Sequence, residues 1–412
     1  QREALERAIA VDPRLALAQS DLGLLNFTEG RPADAEERFR IALELDPQLA
    51  QAQGNLAVLR VRQNRLADAE TLLRSAIEND PNYVHAYLNL GLILAQQGRF
   101  RDAEAPLDRA LALAPEDLRV LTALGRVQSR IKKNEQAIAT LRKASLLNPA
   151  GVEAHLDLGI ALADGFDLDG ALKEFSEAVR LAPNSAAAHY NLGRALLDQQ
   201  QYERAQEELE AACRLAPTFA HPFFLRALAW KQSGHSDRAV PLLETAVKLE
   251  PRNANSWFLL GQTLQATGRE TDAIAAWKQA VAASPEQSES IYNLSRSLRK
   301  SDPEQARQYQ ERLGDIQKKR QITDRAGMLG NFALASAAAR DWSQAVVQLK
   351  EAIEVCGECQ TRGELHKNLG LVYCRSGELK KGESELRTAL TLIPGDPDVL
   401  QALKVIEGFQ LR

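Results

Sequence analysis

An all-α solenoid of stacked helix pairs is the fold class that the 412-residue sequence predicts, and three columns of residues predict it. Nine of the 16 prolines stand 34 residues apart: Pro13, Pro47, Pro81, Pro115, Pro149, Pro183, Pro217, Pro251 and Pro285. Five residues before each is an alanine, from Ala8 to Ala280, and from Pro47 onward a second alanine stands twelve residues before, from Ala35 to Ala273. A third column is always large and apolar: Leu5, Phe39, Leu73, Leu107, Leu141, Phe175, Leu209, Leu243 and Trp277.

With the proline set at position 32 of each unit, the first complete unit begins at Ala16. Positions 7 and 8 then pair Leu with a small residue, as in Leu22-Gly23, Leu90-Gly91, Leu124-Gly125, Leu158-Gly159, Leu192-Gly193 and Leu260-Gly261. A small residue there lets a second helix approach closely. Turn signals follow at Gly30, Gly98, Gly234 and Gly268, and a second helix carries the alanines at positions 20 and 27. Proline ends that helix, because its ring clashes with the preceding turn and it lacks an N–H. A single pair is too small to bury its own apolar face, so stability comes from stacking on neighbours.

These columns resemble the tetratricopeptide repeat, whose 34-residue motif places L-G, A, F, A and P in the same order. The resemblance covers residues 1 to about 300 strictly and the rest loosely. It implies a right-handed superhelix of about 11.5 repeats with first helices lining a concave groove, and it says little about function. The early tyrosine column departs from the motif at Asn26, Arg60 and Gln128, which suggests locally variable packing. Beyond Pro285 regularity weakens. The spacing predicts a regular array over 1–287 and a degenerate repeat over 288–325, with a first helix Ile291 to Lys300 and a long charged second helix from Asp302-Pro303 to Arg325. Two further repeats and a capping helix, Asp396 to Phe409, fill 326–412, with Gly382 where the other repeats have alanine at position 20.

Composition narrows the function classes. The chain is 45% hydrophobic, 26% charged and 5% aromatic, with net charge −4. That describes an ordered protein and argues against general nucleic-acid or membrane-surface binding. No apolar run approaches the length of a membrane span, so direct membrane insertion is not expected. The chain starts at Gln1 inside a helix pattern, which suggests a trimmed piece, and its localisation stays open. Richness in Ala, Leu and Arg suggests a bacterial source.

On the first helices, positions 2, 5, 9, 12 and 13 form the stripe on which tetratricopeptide proteins usually hold ligands. Across nine units its basic residues are Arg62, Arg119, Arg126, Arg130, Arg194, Lys231, Arg296, Arg299 and Lys300, against Glu153, Asp164, Asp198 and Glu289. Nine against four gives the stripe +5, so a basic groove is expected inside an acidic protein. Its N-terminal part is apolar, with Leu17, Leu24, Phe27, Leu88 and Leu92, whereas position 5 later becomes an aromatic ladder of Tyr190, Phe224, Phe258 and Tyr292. Arg194 and Arg296 lie one turn from Tyr190 and Tyr292, where guanidinium groups bind carboxylates or stack on rings. The alternative is that these rings simply fill the interior between repeats. Position 6 holds Asn55, Asn89, Asn191, Asn293 and Asn368, similar to the asparagine ladder of the O-linked N-acetylglucosamine transferase superhelix, which implies pairing with an extended peptide backbone. The alternative is bonding to neighbouring helices. The lysine at position 5 that chaperone-tail binders use is absent from every repeat, which argues against such a ligand.

Cys356, Cys359, His366 and Cys374 are ligand types for structural zinc, but His366 and Cys374 lie on one helix about 12 Å apart at 1.5 Å per residue. A Cys356–Cys359 disulfide and ordinary packing thiols are the alternatives, and Cys213 reads as a small core residue. His155 and His189, at position 4, read as packing residues, and His85 and His221 sit on the groove edge. No phosphate-binding loop, nucleophile elbow, zinc-protease motif or dinucleotide fingerprint appears, so neither catalysis nor a cofactor is expected. The sequence thus predicts a scaffold or adaptor gripping a protein or peptide segment, apolar at one end and acidic or aromatic at the other, with Arg126, Arg194, Arg296 and Arg299 supplying charge. A substrate-presenting arm of a larger enzyme such as a glycosyltransferase, and a structural protein self-associating through the array ends at Leu5 and Ile9, are the alternatives.

Overall fold

The computed structural model describes residues 1–410, and every regular element among them is a helix. The chain divides into two compact units, Gln1–Leu249 and Glu250–Arg412. The first unit holds α1 (Arg2–Val11), α2 (Ala16–Thr28), α3 (Pro32–Leu45), α4 (Ala50–Arg62), α5 (Leu66–Asn79), α6 (Val84–Gln96), α7 (Phe100–Leu113), α8 (Leu118–Arg130), α9 (Asn134–Leu147), α10 (Val152–Asp164), α11 (Leu168–Leu181), α12 (Ala186–Asp198), α13 (Tyr202–Leu215), α14 (Ala220–Gln232) and α15 (Ser236–Leu249). The second holds α16 (Ala254–Ala266), α17 (Glu270–Ala283), α18 (Ser288–Ser297), α19 (Pro303–Ala338), α20 (Trp342–Cys356), α21 (Arg362–Arg375), α22 (Leu379–Leu392) and α23 (Pro397–Gln410). Within each unit successive helices pack as antiparallel pairs, and each pair stacks on the next. None of the helices is long and apolar enough to cross a membrane.

The sequence columns become packing contacts. The alanines at positions 20 and 27 and the large residue at position 24 of each regular second helix are buried, with Phe39, Phe175 and Trp277 among the largest fully buried side chains. The glycine at position 8 gives that large residue room. A Cβ on Gly91 would lie 2.4 Å from Leu107, and one on Gly261 would lie 2.3 Å from Trp277. Gly382 has the same kind of cause, since a Cβ there would lie 2.4 Å from Cys374 Sγ.

A second recurring contact lies at position 4, whose side-chain N–H donates to the carbonyl of the proline that closes the preceding repeat. Gln53 Nε2 donates to Pro47 O at 2.9 Å, His155 Nε2 to Pro149 O at 3.0 Å, His189 Nε2 to Pro183 O at 2.9 Å and Trp257 Nε1 to Pro251 O at 2.9 Å. The histidines add a hydrogen bond to the second helix of their own repeat, His155 Nδ1 to Glu174 and His189 Nδ1 to Glu208, both at 2.6 Å. His366 repeats the pairing with Glu385 at 2.7 Å, but its buried Nε2 has no partner. Three extra residues before α21 have carried the equivalent carbonyl away.

The turn inside each regular pair of the first unit needs one residue in the left-handed region. Glycine supplies it at Gly30 and Gly98, with φ of 78° and 77°, but Phe166 adopts φ 65° and is 91% exposed. A bulky L-residue is disfavoured there. Phe166→Gly is expected to stabilise the first unit by ~0.5–1 kcal/mol. An unchanged or lower urea midpoint would count against it.

The largest difference from the expected layout is α19. It runs on to Ala338, where a helix ending at Arg325 followed by a separate first helix was expected. No proline and no glycine interrupts residues 315–326, so nothing there breaks the helix. In contrast, α18 stops at Ser297, short of Lys300, because Asp302 caps the next helix by accepting from Gln305 N at 3.0 Å.

Candidate groove on the first helices

Three successive first helices, α6, α8 and α10, line an open cavity of about 890 Å³. It is lined by the expected ligand positions: Leu88 and Leu92 from α6, Arg119, Thr122, Arg126 and Arg130 from α8, and Glu153, Ile160 and Asp164 from α10. Asn89 and Asp157 at position 6 line it too, while Phe100 and Val127 extend its apolar surface. Both stripes of the sequence therefore converge here.

The charge of this cavity differs from expectation. Three arginines on α8 face three carboxylates on α10, so the lining has no positive excess. Position 6 is the reason: Asp157, in the asparagine column, pairs with Arg126 Nε at 2.7 Å. Arg119 pairs with its neighbour Asp117 at 2.8 Å, and Arg130 lies over the Phe100 ring, 5.2 Å from its centroid. Burial pushes the Asp157 carboxyl above the usual aspartate range, against the pull of Arg126 and with a smaller push from Glu153. A carboxyl held above its unfolded value binds its proton more readily in the folded state. Stability then falls as pH rises from the ordinary aspartate range through the raised value. Asp157→Asn is expected to remove that slope and to raise stability at neutral pH by on the order of 1 kcal/mol. Urea midpoints measured across pH should diverge as pH rises; parallel curves for the two proteins would refute this.

The remaining candidates divide between the units. In the first unit Asn55 Nδ2 reaches Ser20 Oγ at 3.4 Å, and Asn191 is buried with its Nδ2 donating to Ala187 O at 2.9 Å. Those two asparagines bond their own array. Tyr190 packs on Phe219, ring centroids 5.3 Å apart, and Phe219 stacks on His221 at 5.5 Å. Arg194 and Phe224 are half-buried. In the second unit Phe258, Tyr292 and Asn293 line a smaller pocket of about 370 Å³, walled on one side by Leu313 and Gln317 of α19. Arg296 lies 5.7 Å from the centroid of the Tyr292 ring, the pairing the spacing predicts. Arg299 is displaced from the stripe, because it falls in the turn beyond α18.

The cysteine cluster separates. Cys356 and Cys359 form a disulfide, and His366 is held by Glu385. Cys374 is free, its thiol pushed up by burial, with its sulfur packed toward Gly382. Among the described residues no three His, Cys, Asp or Glu side chains gather around a metal position. Cys213 is a buried free thiol whose pKa burial raises to about 11. Sequence reasoning missed Arg226, which takes the leucine slot at position 7 and pairs with Glu210 at 2.8 Å. The gap in the leucine column at that position was the available signal.

Stacked helix pairs with a groove on their first helices define a helical-repeat protein. Sequence profiles described as tetratricopeptide repeat match residues 2–50, 55–117, 122–186 and 224–288, and another of the same description matches 161–220. The chain belongs to the tetratricopeptide repeat family, whose members are generally non-catalytic scaffolds. A tetratricopeptide repeat protein from Parabacteroides merdae has the same fold: it is 18% identical, with a TM-score of 0.50 over 61% of this chain and 99% of that one. PilF from Pseudomonas aeruginosa is 25% identical, with a TM-score of 0.45 over 50% of this chain and 94% of its own. YrrB, described as a TPR protein with an unusual peptide-binding site, is 27% identical, with a TM-score of 0.40 over 45% of this chain and 95% of its own. No curated protein matches the chain.

Proposed function

We propose that this protein is a non-catalytic interaction scaffold that holds an extended or helical segment of a partner protein against its first helices. The observation that carries this is the cavity between α6, α8 and α10, whose lining coincides with the ligand positions of the repeat. An apolar surface of Leu88, Leu92, Val127 and Ile160 between a wall of arginines and a wall of carboxylates suits a segment with an apolar face and charges of both signs on its edges. This refines the expected partner, because a purely acidic segment would meet Glu153, Asp157 and Asp164 as well as the arginines. In the second unit the pocket at Phe258 and Tyr292, with Arg296 beside it, suits an aromatic or acidic group.

The test is affinity capture from native lysate with the wild-type chain, with Leu92→Glu, and with Arg194→Glu/Arg296→Glu. Leu92 is 46% exposed, so its replacement should leave the fold intact. A partner retained by wild type and lost with Leu92→Glu, at unchanged thermal stability, supports the groove. Equal capture by all three proteins moves the site elsewhere.

A further inference from the structure

We propose that the partner segment ends in a cluster of acidic residues received by a basic cavity at the edge of the groove, an assignment that rests on the groove being the binding site. Where α8 ends, the groove meets a second cavity of about 470 Å³, and the two share Phe100 and Arg130 in their linings. The second cavity lies between the turn into α7 and the turn that follows α8. Its lining holds Arg99, Arg101, Arg130 and Lys132, with Asp102 the one carboxylate among them.

These charges are unequally spent. Arg99 is taken up within the fold, donating to Asp102 and to Glu70, both at 2.9 Å. That leaves Asp102 satisfied and three cations without a carboxylate. Arg101 and Lys132 are exposed and make no ion pair among the described residues, and Arg130 lies over the Phe100 ring instead. Lys132 stands at φ 64° in the slot that Gly98 fills one repeat earlier, so one wall of the cavity lacks a side chain and the other is cationic. Lys133 adds nothing to the excess, because it pairs with Glu104 at 2.7 Å.

The other end of the groove has the opposite character. Where α8 begins, Arg119 is held by Asp117 at 2.8 Å, while Glu153 in the lining and Glu116 next to Asp117 are exposed. At the basic end the exposed carboxylate of Asp164 on the facing wall stands against Arg101, Arg130 and Lys132, one against three. Arg119 and Arg130 are eleven residues apart, or about 17 Å along α8. Carboxylates on a bound segment are therefore repelled where α8 begins and attracted where it ends, which fixes how the segment lies. The occupant is an acidic polypeptide because the basic cavity opens off the apolar groove through the shared Phe100 wall. A free anion would use the cations alone.

The experiment selects a displayed library of random-sequence peptides on the full chain at moderate salt, then measures the affinities of the retained peptides by fluorescence anisotropy. The expected peptides carry an apolar stretch with a cluster of Asp or Glu at one end. Replacing those residues by Asn or Gln should weaken binding to the wild-type chain by about ten-fold, the effect of two or three exposed ion pairs. The same replacement should change little against Arg101→Glu/Lys132→Glu, whose thermal stability should be unchanged because both positions are exposed. Apolar peptides lost with Leu92→Glu, but lacking an acidic end or binding the charge-reversed chain equally well, overturn the acidic end and leave the groove standing. Acidic peptides indifferent to Leu92→Glu overturn the groove and this assignment together, as does the retention of no peptide at all.

Discussion

Phe175→Ala is expected to cost the first unit ~3–5 kcal/mol, the usual range for emptying a fully enclosed aromatic site. Phe175 is 0% exposed and sits in a cluster with Leu158, Ala171 and Leu192, so its removal loosens α10, α11 and α12 together. The loss should be concentrated locally, because each repeat of a solenoid contacts only its neighbours. Hydrogen exchange should accelerate most in those three helices. The site also has a built-in control. A Cβ on Gly159 would lie 2.5 Å from the Phe175 ring, so Gly159→Ala alone should cost ~1–3 kcal/mol through overpacking. With Phe175→Ala the same methyl enters empty space, and the double variant should be more stable than the two single costs predict, by ~1–2 kcal/mol. Strictly additive costs, measured by urea unfolding, would show that the Gly159–Phe175 contact does not set the helix spacing.

Much of this packing was legible in the columns. Prolines and glycines mark where helices end, and the alanines, glycines and large residues at fixed positions announce which faces meet. What was not legible depended on one residue changing the geometry of others. Asp157 reads as a variant of an asparagine column, yet in place it neutralises Arg126 and changes the charge of the cavity. Arg299 has the right spacing for the groove and falls outside it, because Asp302 starts the next helix early. The α19 fusion follows from the absence of helix breakers in residues 315–326, and an absence is weaker evidence than a regular column. The cysteine spacing leaves a disulfide, a metal site or packing thiols as alternatives, and only placement separates Cys356 and Cys359 from Cys374. In each case the local pattern was visible but the partner was not.

His155→Leu is expected to destabilise the first unit by ~2–3 kcal/mol, and His155→Gln to recover about half of that loss. Leucine is close enough in size to fill the slot, since Leu121 occupies position 4 of the preceding repeat and is buried. The loss is therefore one of hydrogen bonding. Leucine would leave the Pro149 carbonyl and the Glu174 carboxylate without the partners they have at 3.0 Å and 2.6 Å, in surroundings where the imidazole itself is buried. Glutamine has a precedent at this position, because Gln53 donates from Nε2 to Pro47 O at 2.9 Å. It can restore the bond to the preceding repeat without restoring the hydrogen bond to Glu174. The two contacts act at different places: the carbonyl bond ties one repeat to the one before it, and the Glu174 pair ties the two helices of a single repeat together. If that division holds, His155→Gln should preserve hydrogen-exchange protection at the α9–α10 junction while loosening α10 against α11. Glu174→Gln should loosen only the second contact. Equal losses for the leucine and glutamine variants would mean that the proline carbonyl contributes nothing at this junction.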